Sequence, residues 1–159
     1  MYTSISNPPP RWNATPYDAG ISGAANQWDI SSNTWTPNQP LKTLNRYYNG
    51  TTHEVTTGWI DPQGNFSFQV TLGHLYESPQ QGAAVPFYSC KNGSTDYFLS
   101  LDVGCAGVRI LGVTGYGYLT PASNRVPLYV CTASSDHFVS NESDCEGQGS
   151  GALLGYALP

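Results

Sequence analysis

The sequence predicts an all-β protein, and three observations support this class. Glycine and proline are abundant, with 17 and 12 of the 159 residues, and charged residues make up only 11% of the chain, against about 25% in ordinary soluble domains. Gly, Pro and β-branched residues interrupt every window long enough to display the 3.6-residue period of a helix. The third observation is an internal repeat of strand-forming segments.

The repeat is clearest in two hexapeptides that lie 41 residues apart. Residues 85–90 read VPFYSC, and residues 126–131 read VPLYVC. A fainter copy upstream, LNRYYNGTTHEVTTGW, aligns without a gap with the segment that begins at Leu128. Self-similarity at a fixed period indicates units that bury their apolar faces against one another. We therefore predict three repeats, with the bounds 44–86, 87–127 and 128–159.

Each repeat is expected to hold a hairpin, a central turn and a closing strand. Asn49-Gly50 and Asn92-Gly93 lie between β-favouring runs, and Asn-Gly is the strongest short signal of a hairpin turn. In the first repeat, residues 62–64 (PQG) have Pro and Gly at favoured positions of a turn. An alternating apolar run, which is typical of a half-buried strand, follows that turn.

Three repeats of about 40 residues, each with roughly four short strands, predict a β-trefoil over residues 44–159. An open sandwich and a propeller are the competing all-β architectures, but propeller blades run about 40–50 residues and usually number four or more. The apolar positions that recur in the repeats are predicted to form a shared core: Leu44, Val55, Leu72, Phe87, Leu99, Leu128, Val139 and Leu154.

Residues 1–43 differ in composition from the repeats. They hold three of the four tryptophans, Trp12, Trp28 and Trp35, together with six of the twelve prolines. Disordered segments are poor in aromatic residues. This segment is therefore interpreted either as an irregular arm that packs on the barrel or as a linker, and stacking of its rings on a sugar is a third interpretation.

The four cysteines are predicted to pair within their own repeats. Cys90 and Cys105 hold the same two repeat positions as Cys131 and Cys145, and the first repeat lacks both members. Four reduced, buried thiols are the alternative, and no zinc-type Cys/His spacing is present, so we expect no metal. Disulfides persist in oxidising compartments. We therefore predict a secreted protein, although residues 1–10 lack the basic and apolar regions of a signal peptide.

Charge and motifs argue against several function classes. The net charge is −5 and the six Lys and Arg residues are dispersed, whereas nucleic-acid binding needs clustered cations. The longest apolar runs fall far short of the roughly 20 residues that span a bilayer. The acidic residues near residues 136–146 lie around a predicted turn, and the usual hydrolase motifs are absent. We therefore expect no nucleic acid, no membrane, no cofactor and no catalysis.

Two histidines mark the candidate site. His53 and His137 hold equivalent repeat positions and follow Thr52 and Asp136. In one interpretation each His hydrogen-bonds across its own hairpin and fixes the turn. In the other, Asp, His and nearby aromatic rings form a shallow pocket for sugar hydroxyls. The candidate ligand-binding residues are Thr52, His53, Asp96, Tyr97, Tyr129, Asp136, His137, Phe138, Glu146, Gln148 and Tyr156.

The segments LNRYYNGTTHEVTT, DHFVS, CEGQ and LLGYAL resemble a tandem repeat of unknown function at the ends of secreted bacterial and fungal proteins, often beside hydrolase domains. The resemblance covers residues 44–159 and implies a trefoil-like, non-catalytic extracellular module. Only the third repeat retains the motif residues Asp136, His137, Glu146 and Gly147 together. The second repeat has Asp96-Tyr97 in place of Asp-His, and the first lacks the Glu-Gly dipeptide.

Carbohydrate binding is the function we expect, with a glycan or polysaccharide as partner. Abundant Tyr and Trp offer flat amphipathic surface, and repetition multiplies weak sites. One alternative is a trefoil inhibitor or interaction module for a secreted hydrolase, which would present the amino-terminal segment or one of the connections PQQGAAVP and PASNRVP. A purely structural spacer is the remaining alternative.

Overall fold

The computed structural model describes the backbone of residues 26–29 and 34–37 and, with side chains, residues 40–60, 62–80 and 85–159. The described residues form strands and short 3₁₀ turns and contain no α-helix, which confirms the all-β prediction. The strands are β1 (Asn26–Asp29), β2 (Thr34–Pro37), β3 (Leu41–Tyr48), β4 (His53–Thr56), β5 (Ser67–Tyr76), β6 (Val85–Asn92), β7 (Asp96–Ser100), β8 (Arg109–Gly117), β9 (Val126–Ala133), β10 (Asp136–Ser140) and β11 (Ala152–Ala157).

The chain divides into two compact units between Leu41 and Lys42. In the first unit, β1 and β2 pair as an antiparallel hairpin in which Trp28 lies opposite Trp35. The side chains of this hairpin and residues 1–25, which include Trp12, lie outside the described residues. The choice between arm and linker for residues 1–43 therefore stays a prediction.

In the second unit, a central strand is hydrogen-bonded to two neighbouring strands in each of three places. β3 lies between β4 and β5, β6 lies between β7 and β8, and β9 lies between β10 and β11. The hairpins β3–β4 and β6–β7 turn near the two Asn-Gly pairs, where the sequence predicts them. The first two groups join through β5 and β8 into one six-stranded sheet, and the third group is a three-stranded sheet.

The ends of the three closing strands β5, β8 and β11 meet one another. Tyr76 on β5 lies opposite Tyr116 on β8. Single bridges link Tyr118 to Tyr156 and His74 to Leu158, and each bridge has two backbone hydrogen bonds of 2.7 to 2.9 Å. These bonds connect the third sheet to both halves of the six-stranded sheet.

The interior consists of the apolar residues that recur in the sequence repeats. Seven of the eight residues predicted for the core are buried in one cluster, and Leu154 packs against that cluster while partly buried. Leu75 and Ala157, from the closing strands, complete it. Burial of such side chains stabilises the fold by about 1.5–3 kcal/mol for each large one, and all three hairpins contribute.

Glycines permit the close approach of the closing strands. A Cβ atom on Gly155 would lie 2.6 Å from the Tyr118 carbonyl oxygen and 2.8 Å from the Phe87 ring. A Cβ atom on Gly115 would lie 2.7 Å from the Leu75 Cβ atom. Real Cβ contacts are not this short, so the backbones approach one another only because these positions lack side chains.

Two disulfides close loops within the second and third repeats. Cys90 bonds to Cys105 and Cys131 bonds to Cys145, which is the pairing that the repeat positions predict. Closing a loop of about 15 residues is worth roughly 3 kcal/mol in the chain-entropy model. The bonds indicate that the protein matures in an oxidising environment. No helix in the described residues is long and apolar enough to cross a membrane.

Replacement of Gly155 by Ala is expected to lower the free energy of unfolding by about 2–3 kcal/mol, because the added methyl group overpacks the junction of the closing strands. Urea denaturation of the two proteins measures the difference. Gly58→Ala is the matched control, since the nearest atom to its added Cβ is 3.9 Å away. We expect the control to change stability by less than about 0.5 kcal/mol. Equal losses in both variants would contradict the close-approach account.

Candidate functional site

Asp136 joins the third hairpin to the first. Its Oδ1 atom accepts hydrogen bonds from the Thr52 hydroxyl at 2.7 Å and from the His53 backbone N–H at 2.9 Å. Its Oδ2 atom lies 2.5 Å from His53 Nδ1. The His53 ring also lies between Tyr48, whose ring stacks on it, and Phe138. The carboxylate therefore fixes the start of a strand in a different repeat.

Asp96 makes the same type of contact from the second hairpin to the third. Its Oδ1 atom accepts a hydrogen bond from the His137 backbone N–H at 3.1 Å, and its carboxylate oxygens lie 2.9 and 3.0 Å from His137 Nδ1. The His137 ring packs at a tilt against Phe98. Both histidines thus bind an aspartate of another repeat, whereas the first interpretation of the sequence placed that bond across a single hairpin.

Arg46 is a third link between repeats. Only 5% of this residue is exposed, yet its guanidinium forms a bidentate ion pair with Glu146, with N–O distances of 2.6 and 3.0 Å. The guanidinium also donates to Gln69 Oε1 and to the Val139 carbonyl oxygen, and it lies over the Phe138 ring. An unpaired buried charge costs several kcal/mol, so Glu146 stabilises Arg46 in the interior.

The backbone and the protonation state of Glu146 fit this role. Glu146 has a φ of 59°, in the left-handed region that non-glycine residues rarely adopt. Its Oε1 atom also accepts a hydrogen bond from the Ser140 hydroxyl at 2.9 Å. The hydrogen bonds from Arg46 lower the pKa of Glu146, against the opposing effect of partial burial. The residue is therefore ionised over the neutral range.

The other predicted site residues are dispersed. Phe138 is buried beside the Cys131–Cys145 disulfide, and Tyr129 packs partly buried against the same cluster. Gln148 lies exposed in the turn that follows this disulfide, and Tyr156 lies opposite Pro127 in the sheet. Tyr97 accepts a hydrogen bond at 2.8 Å from Lys91. The structure thus does not gather all the predicted residues into one pocket.

A cleft of about 480 Å³ lies where the first and second repeats meet. Tyr97 is the one predicted site residue among those that line it. Trp59 stands at this cleft with 76% of its surface exposed. The cleft is also lined by residues of three kinds. These are the hydroxyl-bearing Thr56, Thr57, Ser89 and Tyr97, the charged Lys42, Glu54, Lys91 and Arg109, and the apolar Leu111 and Val113.

The first two repeats differ at a position that lines the cleft. Arg46 lies opposite Val55 in its hairpin, and Ser89 lies opposite Leu99 in the next hairpin. The sequence alignment makes these positions equivalent, because Arg46 and Ser89 each lie two residues after Leu44 and Phe87, the first core residues of their repeats. A short hydroxyl side chain thus stands where the first hairpin has a guanidinium that reaches its neighbour. Ser89 lines the cleft at this position.

The two repeats that line the cleft also contact each other directly. The Thr57 hydroxyl on the first repeat donates a hydrogen bond to the Thr114 carbonyl oxygen on the second. Phe66 makes an edge-to-face contact with Tyr97 at 6.1 Å between ring centroids. Such aromatic contacts add about 0.5–1.5 kcal/mol, so these contacts help to hold the two repeats together beside the cleft.

Sequence reasoning missed Trp59 and the cations around it. The signal was an aromatic residue, Trp59, in the polar segment TTGWIDPQG, which aligns with the turn of the third repeat that contains the Glu-Gly dipeptide. Trp59 and Arg109 adjoin only through the packing of two repeats. A comparison of Ser89 with Arg46 in the aligned repeats would have indicated that the second repeat lacks the guanidinium link.

One proposed interaction loop is partly outside the described residues. The connection PQQGAAVP includes residues 81–84, which lie outside them. In the connection PASNRVP, Arg125 donates to the Thr120 carbonyl oxygen at 2.7 Å and packs over the Tyr118 ring. This arginine is held against the protein surface.

Within the described residues, no group of three or more His, Cys, Asp or Glu is placed to hold a metal ion.

No family model, no curated protein and no solved structure matches the chain. The resemblance to the tandem-repeat family therefore stays a prediction.

Replacement of Glu146 by Gln is expected to lower the free energy of unfolding at pH 7 by about 2 kcal/mol. This value is less than the loss for a fully buried pair, because the Glu146 side chain is 38% exposed. A lowered folded-state pKa contributes stability above the usual value of 4.5, and that contribution disappears as the pH falls through the folded-state pKa. The difference between the two proteins should therefore narrow in acid.

Urea denaturation between about pH 7 and about pH 2.5 measures this difference. Glu142→Gln is the control, because Glu142 is an exposed carboxylate in the same turn and is expected to show a loss within about 0.5 kcal/mol at every pH. A gap between wild type and Glu146→Gln that stays constant with pH would contradict the ion-pair account.

Proposed function

We propose that the protein is a secreted, non-catalytic module of the β-trefoil type that binds carbohydrate in the cleft between its first and second repeats. The trefoil assignment is supported by three hairpins that share one core and by closing strands whose ends bond to one another. The membership in the tandem-repeat family is part of the same proposal and rests on the motifs of residues 44–159.

The exposure of Trp59 carries the binding proposal. A tryptophan that leaves 76% of its surface in water forgoes the stabilisation that burial of a large aromatic side chain provides. Exposed apolar surface beside a concavity is typical of a binding site. The flat face of an indole complements the apolar C–H face of a pyranose ring, so the cleft offers a stacking platform.

The polar groups of the cleft suit the rest of a sugar. Hydroxyl groups of Thr56, Ser89 and Tyr97 can donate and accept hydrogen bonds, and a sugar presents hydroxyls of the same kind around its ring. The open side of the cleft permits a chain of sugar units to extend beyond it. These features favour an oligosaccharide or polysaccharide over a small enclosed ligand.

Binding without hydrolysis is supported by the acidic residues that the structure describes. Hydrolysis of a glycosidic bond uses two carboxyl groups about 5–9.5 Å apart. The described lining of the cleft contributes one, Glu54. The carboxylates of Asp96 and Asp136 are each bound to a histidine and a backbone N–H of another repeat.

Secretion is supported by the two disulfides. Both cross-links lie within the unit that contains the cleft, and disulfides persist outside reducing compartments. Extracellular polysaccharides would be accessible to a protein in that environment.

Replacement of Trp59 by Ala is expected to weaken binding of a polysaccharide panel at least tenfold, because loss of an aromatic stacking partner costs about 1.5 kcal/mol or more. Affinity electrophoresis in gels that each contain one polysaccharide measures how far binding retards the protein. Phe68→Ala is the matched control, because Phe68 is an aromatic residue with 59% exposure that does not line the cleft. Retardation that survives in Trp59→Ala, or that is absent for every polysaccharide, would contradict the proposed function.

A further inference from the structure

The cleft concentrates positive charge in an acidic protein. The whole chain carries a net charge of −5 with six Lys and Arg residues. Three of those six, Lys42, Lys91 and Arg109, line the cleft. Among the described residues of the lining, Glu54 is the single acid. Lys42 forms an ion pair with Glu77 at 3.8 Å, so Lys91 and Arg109 supply the excess positive charge of the cleft.

Two of the cations lie side by side on neighbouring strands. Lys91 on β6 is the direct antiparallel partner of Arg109 on β8, and both side chains line the cleft. Residues directly opposite each other have Cβ atoms about 4.5–5.5 Å apart, and like charges in such a pair destabilise the sheet. This arrangement disfavours the unoccupied cleft and favours an anion between the two groups.

The described residues provide no negatively charged partner for Lys91 or Arg109. Lys91 donates to the Tyr97 hydroxyl at 2.8 Å and lies over the ring of that residue. Tyr97 is a neutral partner, so the ammonium charge is not cancelled. Arg109 makes no side-chain hydrogen bond or ion pair within the described residues and is exposed. Its planar guanidinium can bind a carboxylate or sulfate through two parallel hydrogen bonds.

We infer that the ligand of the cleft is an acidic glycan, in which a carboxylate or sulfate group binds between Lys91 and Arg109 while a sugar ring stacks on Trp59. This inference rests on the proposed function, which it narrows to a ligand class. The overall negative charge repels an acidic polymer elsewhere on the surface. Binding is therefore confined to the cleft and depends on its cations.

The test uses three matched oligosaccharides on the full chain. A hexamer of galacturonic acid supplies carboxylates, its methyl ester removes their charge, and a sulfated galactose hexamer supplies sulfates. Isothermal titration is expected to give an affinity for the acid at least about tenfold higher than that for the ester, because hydrogen bonds to charged groups contribute about 1.5–3 kcal/mol. A comparison of the affinities for the galacturonic acid hexamer and the sulfated hexamer shows which anion the cleft prefers.

Arg109→Gln is expected to weaken binding of the preferred acidic hexamer about tenfold and to change binding of the ester by less than about twofold. Arg109→Lys, which retains the charge, should recover part of the loss. Added salt, from about 0.05 M to about 0.5 M, should weaken binding of the acid and not of the ester. The melting temperature of ligand-free Arg109→Gln should equal or exceed that of wild type, because the like-charge pair is removed.

The outcomes separate the two proposals. If the ester binds as tightly as both acids and Trp59→Ala abolishes that binding, the carbohydrate-binding function stands and the acidic-ligand inference is overturned. If Arg109→Gln loses affinity for acid and ester alike, the cation has no selective role and the inference is likewise overturned. If none of the three hexamers binds, the acidic-ligand inference is overturned. Affinity electrophoresis with the polysaccharide panel then decides separately whether the carbohydrate-binding function stands.

Discussion

Polar side chains that cross from one repeat into another fix how the three hairpins sit together. The apolar cluster supplies most of the stabilisation, but hydrophobic burial is non-directional. It does not by itself select one rotation of a hairpin against its neighbours. Asp96 and Asp136 each bind a backbone N–H and an imidazole of a different repeat. A hairpin that shifted would leave these partly buried carboxylates without donors, at a cost of several kcal/mol.

The junction between the first and second repeats, where the cleft lies, lacks these polar links. The first repeat has Thr52 at the position of Asp96 and Asp136, so it offers no carboxylate to the start of the second repeat's strand. The second repeat has Ser89 at the position of Arg46, so it offers no guanidinium to the first. The junction of these two repeats is instead connected by the Thr57 hydrogen bond to Thr114 and by the contact of Phe66 with Tyr97. Divergence between the copies thus leaves this junction without the carboxylate and guanidinium links.

Much of the fold was predictable because its signals are local or recur with the repeat. The Asn-Gly turns depend on neighbouring residues, whereas the recurrent apolar positions and the paired cysteines emerge when the repeats are aligned, and each is found where the sequence indicates. The site was predictable only in part. Asp136 and His137 are adjacent in sequence, which suggested a joint pocket, but neighbouring residues in a strand point to opposite faces, and each of the two binds a different repeat. Trp59 and Arg109 are 50 residues apart, and only packing between repeats brings them to one cleft.

The most direct measurement of where the protein binds its ligand is a nitrogen-15 NMR titration with an acidic hexasaccharide. The account predicts that the Trp59 indole N–H, the Arg109 side-chain signals and the backbone amides of β8 shift with one common saturation curve, whereas the amides of His53 and His137 stay unchanged. Saturable shifts centred on His137, Asp136 and the turn that holds Gln148, with Trp59 unaffected, would contradict it.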